Sequence, residues 1–321
     1  MSVKDRRILR ALSGNARQSL SSVGRAAGLS EELVNYRLRN LIEKGVIQHF
    51  RAEIDFSKLG YRDFRLYIKL QGASARKENE IFNYLKNSRG ATWLAVCEGE
   101  YNFVFRFVVK DEFELNDFLN ALYARFSRYI RDRRVIISVG WQFYPGESGV
   151  YEIGARRYEK PKRSKPVEVD DIDMRLLEML AEDARAPSAR LAGELGLTPN
   201  AVRYRMKRLE SEGVIKGYQM VADRSKIGMY HYKVLLLFQR ASEEKIEKFV
   251  RFCESLPNLV FLVQLIGAWD MDVDFDFRNA EELHGAMLEL GSRFGDLIRN
   301  YETLSVVKST YCNPLKIERK S

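Results

Sequence analysis

Asn200, Arg203, Tyr204 and Lys207 recur three and four residues apart, the spacing that places side chains on one face of a helix. Arg205 and Arg208 lie beside them, and Val202, Met206 and Leu209 form an apolar stripe opposite. Asparagine and arginine make bidentate hydrogen bonds to base edges, while lysine and tyrosine hold phosphates. A solvated basic face on an ordinary helical bundle uses the same residue types, so both readings stand at this point. A second constellation is a row of acids, Asp270, Asp272, Asp274 and Asp276, at the two-residue period of a strand. Like charges about 7 Å apart on one face repel one another. The row therefore faces a cationic protein surface, a divalent cation or solvent. Other chemistry is thin. His49, His231 and His284 have no local metal partner, and Cys97, Cys253 and Cys312 lack C-x-x-C spacing. No G-x-S-x-G, Walker or dinucleotide fingerprint occurs. Neither an enzyme, a metal site nor a cofactor is expected.

The elements that must hold these residues occur twice, because the chain repeats itself at an offset of 168 residues, from Asp5 over Asp173 to Val139 over Val307. Asn15-Ala16-Arg17 falls over Asp183-Ala184-Arg185, Gly28-Leu29 over Gly196-Leu197, and Gly99 over Gly267. Each copy of roughly 140 residues reads as a complete unit. In repeat 2 one helix is marked by Met174, Leu177 and Leu180, and a shorter one spans 188–195. A third starts at Thr198 as N-cap with Pro199 at the first helical position, and stops at Glu212-Gly213. Repeat 1 follows the same plan with Ser30 as N-cap, Val34, Leu38 and Leu41 as the stripe, and Asn35, Tyr36, Arg37 and Arg39 on the polar side. Helix, glycine turn, helix is the helix-turn-helix pattern. The rest of each repeat begins with period-two alternation, Phe64, Leu66, Ile68 and Leu70 between Arg65, Tyr67, Lys69 and Gln71. A helix near 77–86, strands near 93–97 and 102–109, a helix near 113–126 and a strand near 134–139 follow, which is the β-α-β-β-α-β ferredoxin-like order.

Both repeats resemble the Lrp/AsnC (feast/famine) family of prokaryotic transcription regulators. The resemblance is carried by Asp173-Met-Arg-Leu-Leu177, Asp183-Ala-Arg185, Leu191-Ala192, the stretch from Gly196 to Ile215, Ile227-Gly228, and Gly267-Ala-Trp-Asp270, which is similar to the family's G-x-x-D turn. It implies an α+β fold, a tandem duplication of a winged or three-helix helix-turn-helix domain and a ferredoxin-like effector and dimerisation domain. The implied partners are double-stranded DNA, an amino acid or related small effector, and the second repeat as an intramolecular pseudo-dimer, with further homo-oligomerisation left open. The DNA-binding set is then Asn35, Tyr36, Arg37, Arg39, Asn200, Arg203, Tyr204, Arg205 and Lys207. The effector set is Gly99, Tyr101, Asn102, Gly267, Trp269 and Asp270. Fusion of two units is a departure from the family's usual single unit. Repeat 1 departs further, with Asn102 where repeat 2 has Asp270, and with Glu31-Glu32 opening its third helix, where two acids repel phosphate. The same architecture resembles the sirohaem decarboxylase subunits, the alternative reading, but their His- and Arg-rich segment is not found.

Domain limits are expected at 1–50 and 61–145 in repeat 1 and at 169–218 and 229–315 in repeat 2, with tight hinges at 50–60 and 218–228. A basic, Pro-interrupted linker at 146–168 separates the repeats and reads equally as a DNA tether or a spacer. The net charge of +9 and pI near 9.3 favour polyanionic partners. Scattered cysteines and the lack of a membrane-spanning run point to a soluble, cytoplasmic protein. The acid row gives the last expectation. Repeat 1 offers Arg65, Lys69 and Arg106 on its open sheet face, so its sheet should pack on that of repeat 2 and bring these cations near Asp272 and Asp274.

Overall fold

The computed structural model describes residues 1–144, 165–239 and 241–316. Most of the expected linker lies outside them. Repeat 1 runs α1 (Val3–Gly14), α2 (Leu20–Ala27), α3 (Glu31–Glu43), β1 (Ile47–Ile54), β2 (Arg62–Leu70), α4 (Ala75–Lys86), β3 (Ala91–Glu98), β4 (Phe103–Val109), α5 (Glu112–Phe126) and β5 (Ile130–Phe143). Repeat 2 returns the same order. It runs α6 (Asp171–Glu182), α7 (Ser188–Leu195), α8 (Pro199–Ser211), β6 (Ile215–Ala222), a one-turn α9 (Arg224–Ile227), β7 (Tyr230–Phe238), α10 (Glu243–Ser255), β8 (Leu259–Ile266), β9 (Met271–Phe277), α11 (Ala280–Phe294) and β10 (Ile298–Tyr311).

The helix boundaries follow local chemistry. Ser30 and Thr198 accept hydrogen bonds from the Leu33 and Ala201 amides and start α3 and α8, with Pro199 at the first position. Gly28 and Gly196 end α2 and α7 in the left-handed conformation, which turns the chain into the next helix. Val34, Leu38 and Leu41, and likewise Val202, Met206 and Leu209, are buried against their bundles.

The hinges expected at 50–60 and 218–228 contain strand instead. β1 and β6 pair antiparallel, with Phe50 opposite Met220 and Ala52 opposite Tyr218. Each strand also serves the other repeat. Met220 and Ala222 of β6 enter the core of the first helical bundle, and Ala52 and Ile54 of β1 enter the core of the second. Cross-repeat pairing of this kind supplies hydrogen-bond partners for segments that a one-repeat reading leaves unpaired.

The two ferredoxin-like sheets do more than face one another. Each has its fourth strand beside its first, its first beside its third and its third beside its second, and the outer strands then pair across repeats, β5 with β8 and β10 with β3. The eight strands close into one barrel, which removes all four sheet edges. The long helices of each half cover its outer face, burying Phe82, Phe105 and Phe107 in repeat 1 and Phe249, Val273 and Phe275 in repeat 2. The inner faces make a separate core of Tyr67, Ala95, Val104, Ile136, Leu235, Val263 and Leu304.

Candidate nucleic-acid interface and inter-repeat site

Asn200, Arg203, Tyr204 and Lys207 are all exposed on α8, Tyr204 at 72%, and Arg203 donates to Asn200 Oδ1 on the same face. On α3, Tyr36 and Arg39 are exposed and Asn35 is half-buried. Arg37 and Arg205, also expected in the DNA-binding set, are partly buried and paired within their own bundles. Arg205 Nη1 lies 2.7 Å from Asp173 Oδ1 and 2.8 Å from Asp170 Oδ2, and Arg37 Nη1 lies 2.9 Å from Asp5 Oδ1. Asp5 and Asp173 are the acids of capping boxes that start α1 and α6. Each arginine therefore braces its third helix against the start of its first. Burial would raise Asp5, but the Ser2 hydrogen bonds and Arg37 outweigh it and hold the carboxyl below its usual range.

Inside the barrel the residues of β9 divide by parity. Met271, Val273 and Phe275 face the helices, while Asp272, Asp274 and Asp276 point inward and are buried. Arg65 Nη1 reaches across the repeats to Asp272 Oδ2 at 2.6 Å, and the Tyr67 hydroxyl donates to the same oxygen at 3.2 Å. The other two cations expected there have other partners. Arg106 pairs with Asp63 of its own sheet, Nη2 to Oδ2 at 2.5 Å, because positions 63 and 106 are diagonal neighbours on the paired strands β2 and β4. Lys69 is half-buried and bonds the Gly99 carbonyl at 3.1 Å, at the turn of its own repeat. The aspartates are instead met by β7 of their own sheet. Lys233 Nζ lies 2.9 Å from Asp272 and 2.7 Å from Asp274, and His231 bridges Asp276 at 2.6 Å and Asp274 at 3.3 Å. Arg224 closes the row on Asp276 at 2.9 Å. His231 and Lys233 stand directly opposite Asp276 and Asp274 in the β7–β9 register, and the period-two parity of residues 230–238 puts both on one face of the strand.

This network surrounds a cavity of about 30 Å³ lined by Arg65, Arg106, Arg224, His231, Lys233 and four aromatic rings. Burial and the neighbouring Asp274 push Asp272 up to about 6. For Asp276 burial also acts upward, but Arg224 and His231 prevail and hold it low. A larger groove of about 700 Å³ lies between α4 and α5, with Glu80, Asp117 and Arg125 among its walls.

The two effector turns are equivalent and committed to structure. Asn102 Oδ1 accepts from the Leu70 amide at 2.8 Å and Asp270 Oδ2 from the Phe238 amide at 2.7 Å. Tyr101 and Trp269 are buried between the turns with Tyr67, ring centroids 4.8–5.7 Å apart. Gly99 (φ 130°) and Gly267 (φ 148°) let the turns approach the opposite repeat. A Cβ would lie 3.0 Å from the Thr303 carbonyl at the first and 2.7 Å from Ile136 Cδ1 at the second.

Residues 1–48 and 169–216 each match the winged helix-turn-helix DNA-binding family. The HTH-type transcriptional regulator Ptr1 of Methanocaldococcus jannaschii is 39% identical over 118 residues, which are 36% of this chain and 76% of that protein. The chain belongs to the Lrp/AsnC family. It is a DNA-binding transcription regulator of that type, with two family units in tandem. The regulatory protein AsnC of Haemophilus influenzae is 26% identical over 148 residues, 46% of this chain and 97% of that protein. The siroheme decarboxylase NirDL, solved with an iron-uroporphyrin III analogue, shares the fused Lrp/AsnC-type fold at a TM-score of 0.64, with 14% identity over 98% of this chain and 95% of that one. Among the described residues no helix is long and apolar enough to cross a membrane.

Proposed function

We propose that the chain reads a pseudo-palindromic operator with two non-identical recognition helices, about one helical turn of DNA apart, on the order of 34 Å, or a small multiple of it. The observation that carries this reading is the exposed face of α8, where Asn200, Arg203, Tyr204 and Lys207 remain available after Arg205 is spent on the bundle. The α3 face carries Asn35, Tyr36 and Arg39 but opens with Glu31 and Glu32, so the two half-sites differ. Selection of duplexes from a randomised library with the purified chain tests it. Asn200→Ala and Arg203→Ala relax preference at particular base pairs, whereas Lys207→Ala weakens all sequences alike and flattens the salt dependence. Equal loss on random DNA for all three contradicts base reading.

The same proposal includes an amino acid or related effector at the turns. Its support is the resemblance and the asymmetry of the two sites, since Asp270 carries a charge that suits an ammonium group and Asn102 does not. Both side chains already cap a strand amide, so the effector shares Asp270 with Phe238. Calorimetry with amino acids on Asp270→Ala checks this, and undiminished affinity removes Asp270 from the site.

A second reading, a decarboxylase acting on a tetrapyrrole, is favoured by the whole-chain likeness to NirDL and by the cationic and aromatic lining of the barrel cavity. For the barrel cavity, size argues against it. The cavity of about 30 Å³ compares with roughly 300–1,000 Å³ for organic-ligand pockets. Titration with iron-uroporphyrin decides: an absorption shift at micromolar concentrations supports the enzyme, and an unchanged spectrum with specific DNA binding supports the regulator.

A further inference from the structure

We infer that Arg17 and Arg185 form a reciprocal clasp that fixes the separation of the two readers and thereby makes the chain selective for the spacing between its half-sites. This rests on the two-reader proposal above. The two residues are equivalent, 168 positions apart, in the loops that lead into α2 and α7. Each crosses to the other repeat. Arg17 Nη1 donates to the Ala184 carbonyl, and Arg185 Nη1 donates to the carbonyls of Ala16 at 2.5 Å and Gln18 at 3.1 Å. Their guanidinium groups lie over equivalent rings, Arg17 at 5.8 Å from the Tyr218 centroid and Arg185 at 5.5 Å from that of Phe50. The loop backbones join the same exchange, Ala16 N–H donating to the Tyr218 carbonyl at 2.9 Å and Ala184 N–H to that of Phe50 at 3.0 Å.

The geometry shows why this bears on spacing rather than on folding alone. Apart from these contacts, the two bundles meet through the β1–β6 ribbon and its ends, where Lys226 Nζ donates to the Lys44 carbonyl at 2.6 Å and the Asp223 and Asp55 amides donate to the Val46 and Val214 carbonyls. A two-stranded ribbon twists readily. The clasped loops end at Ser19 and Pro187, the N-caps of α2 and α7, and these helices pack on α3 and α8. A shift of the loops therefore carries the recognition helices with it. The arrangement also sets like charges together. Burial and the nearby charge of Arg17 lower Arg185, an electrostatic cost that a neutral donor to the same carbonyls would avoid. The planar fork of arginine can bond two carbonyls and lie over a ring at once, which lysine cannot.

The test uses the full chain and the duplex that the wild type selects from a randomised library, with one to three base pairs inserted at its centre. The wild type is expected to lose about tenfold in affinity for one inserted base pair, and Arg17→Ala/Arg185→Ala less than about threefold. A second readout needs no DNA. Spin labels at Tyr36→Cys and Tyr204→Cys, both exposed, report the distance between readers in a Cys312→Ser background. The other two thiols are buried, and burial pushes Cys97 up to about 12, which keeps it unreactive. The distribution is narrow in the wild type and broadens in the double variant. Should the double variant fail to fold, Arg185→Ala alone carries both measurements. An unchanged spacing penalty with an unchanged distance distribution overturns the clasp. A wild type that selects no sequence overturns the two-reader proposal, and the distance measurement still decides the clasp.

Discussion

Arg203 and Arg205 are two positions apart on α8 and do different work. Arg203 is exposed beside Asn200, whereas Arg205 reaches into the start of α6 and pairs with the fully buried Asp173. Asp173 has a second cation in Arg208. Arg205→Ala therefore weakens a buried pair without orphaning it, and is expected to cost about 1–2 kcal/mol, while Arg203→Ala stays within about 0.5 kcal/mol of wild type. Denaturant titration of the two variants checks this, and equal destabilisation would contradict the division. Sequence alone put Arg203 on the polar stripe and Arg205 beside it, and both entered the DNA-binding set, although two residues on a helix are about 200° apart and periodicity does not name the partner a long side chain reaches. The capping acids at Asp5 and Asp173 were the available signal. Their spacing from Ser2 and Asp170 is that of a capping box, and such an acid recurring in both repeats is a ready partner for an arginine from a neighbouring helix.

At the scale of the element, β9 shows both the reach and the limit of periodicity. Alternation assigned Asp270, Asp272, Asp274 and Asp276 to one face; the structure buries the last three inside the barrel, whereas Asp270 is exposed at the turn and accepts from the Phe238 amide. Alternation did not name the partners of those three, because Lys233 and His231 come from a strand of the same sheet whose register the sequence does not state. The ribbon of β1 and β6 was illegible for a related reason: each strand completes the bundle of the other repeat, and no pattern within one repeat records that. The buried row predicts a pH signature. Asp272 is raised to about 6, so its protonated form favours the fold, and that contribution is whole below the unfolded value near 3.8 and is lost as pH rises through about 6. Asp276 is depressed, so its contribution is lost only as pH falls below about 3.8. His49, which burial lowers to about 4, responds over the interval from pH 4 to 6 with the opposite sign, so the comparison with Asp272→Asn, in which His49 is unchanged, is what isolates Asp272. Relative to Asp272→Asn, the wild type should lose stability across that interval, on the order of 2 kcal/mol. Stability curves that stay parallel through this interval would dismiss the raised carboxyl.

At the scale of the whole molecule, the two repeats are complementary halves of one barrel rather than interchangeable copies. The inward charges of the mixed barrel balance: Arg65, Arg106, Lys233 and Arg224 against Asp63, Asp272, Asp274 and Asp276. Two copies of repeat 1 would instead enclose an unmatched Arg65 from each half, because Arg106 pairs with Asp63 of its own sheet, and two copies of repeat 2 one unmatched carboxylate from each half, because Lys233 and Arg224 meet only part of the β9 row. Buried charge without a partner costs several kcal/mol, more than the pseudo-symmetric strand pairing recovers. A single half also leaves two strand edges and an apolar inner face in water. When residues 1–144 and 165–321 are produced together as separate chains, they should assemble as a one-to-one heterodimer. Each half alone should aggregate or form weak homodimers. Native mass spectrometry of the mixture reads this directly. Homodimers as abundant as the heterodimer would show that the backbone edges, and not the buried charges, decide which sheet meets which. Asp272→Lys in the second half sharpens the result, since it reverses a charge facing Arg65 and should abolish the heterodimer while leaving the first half unchanged.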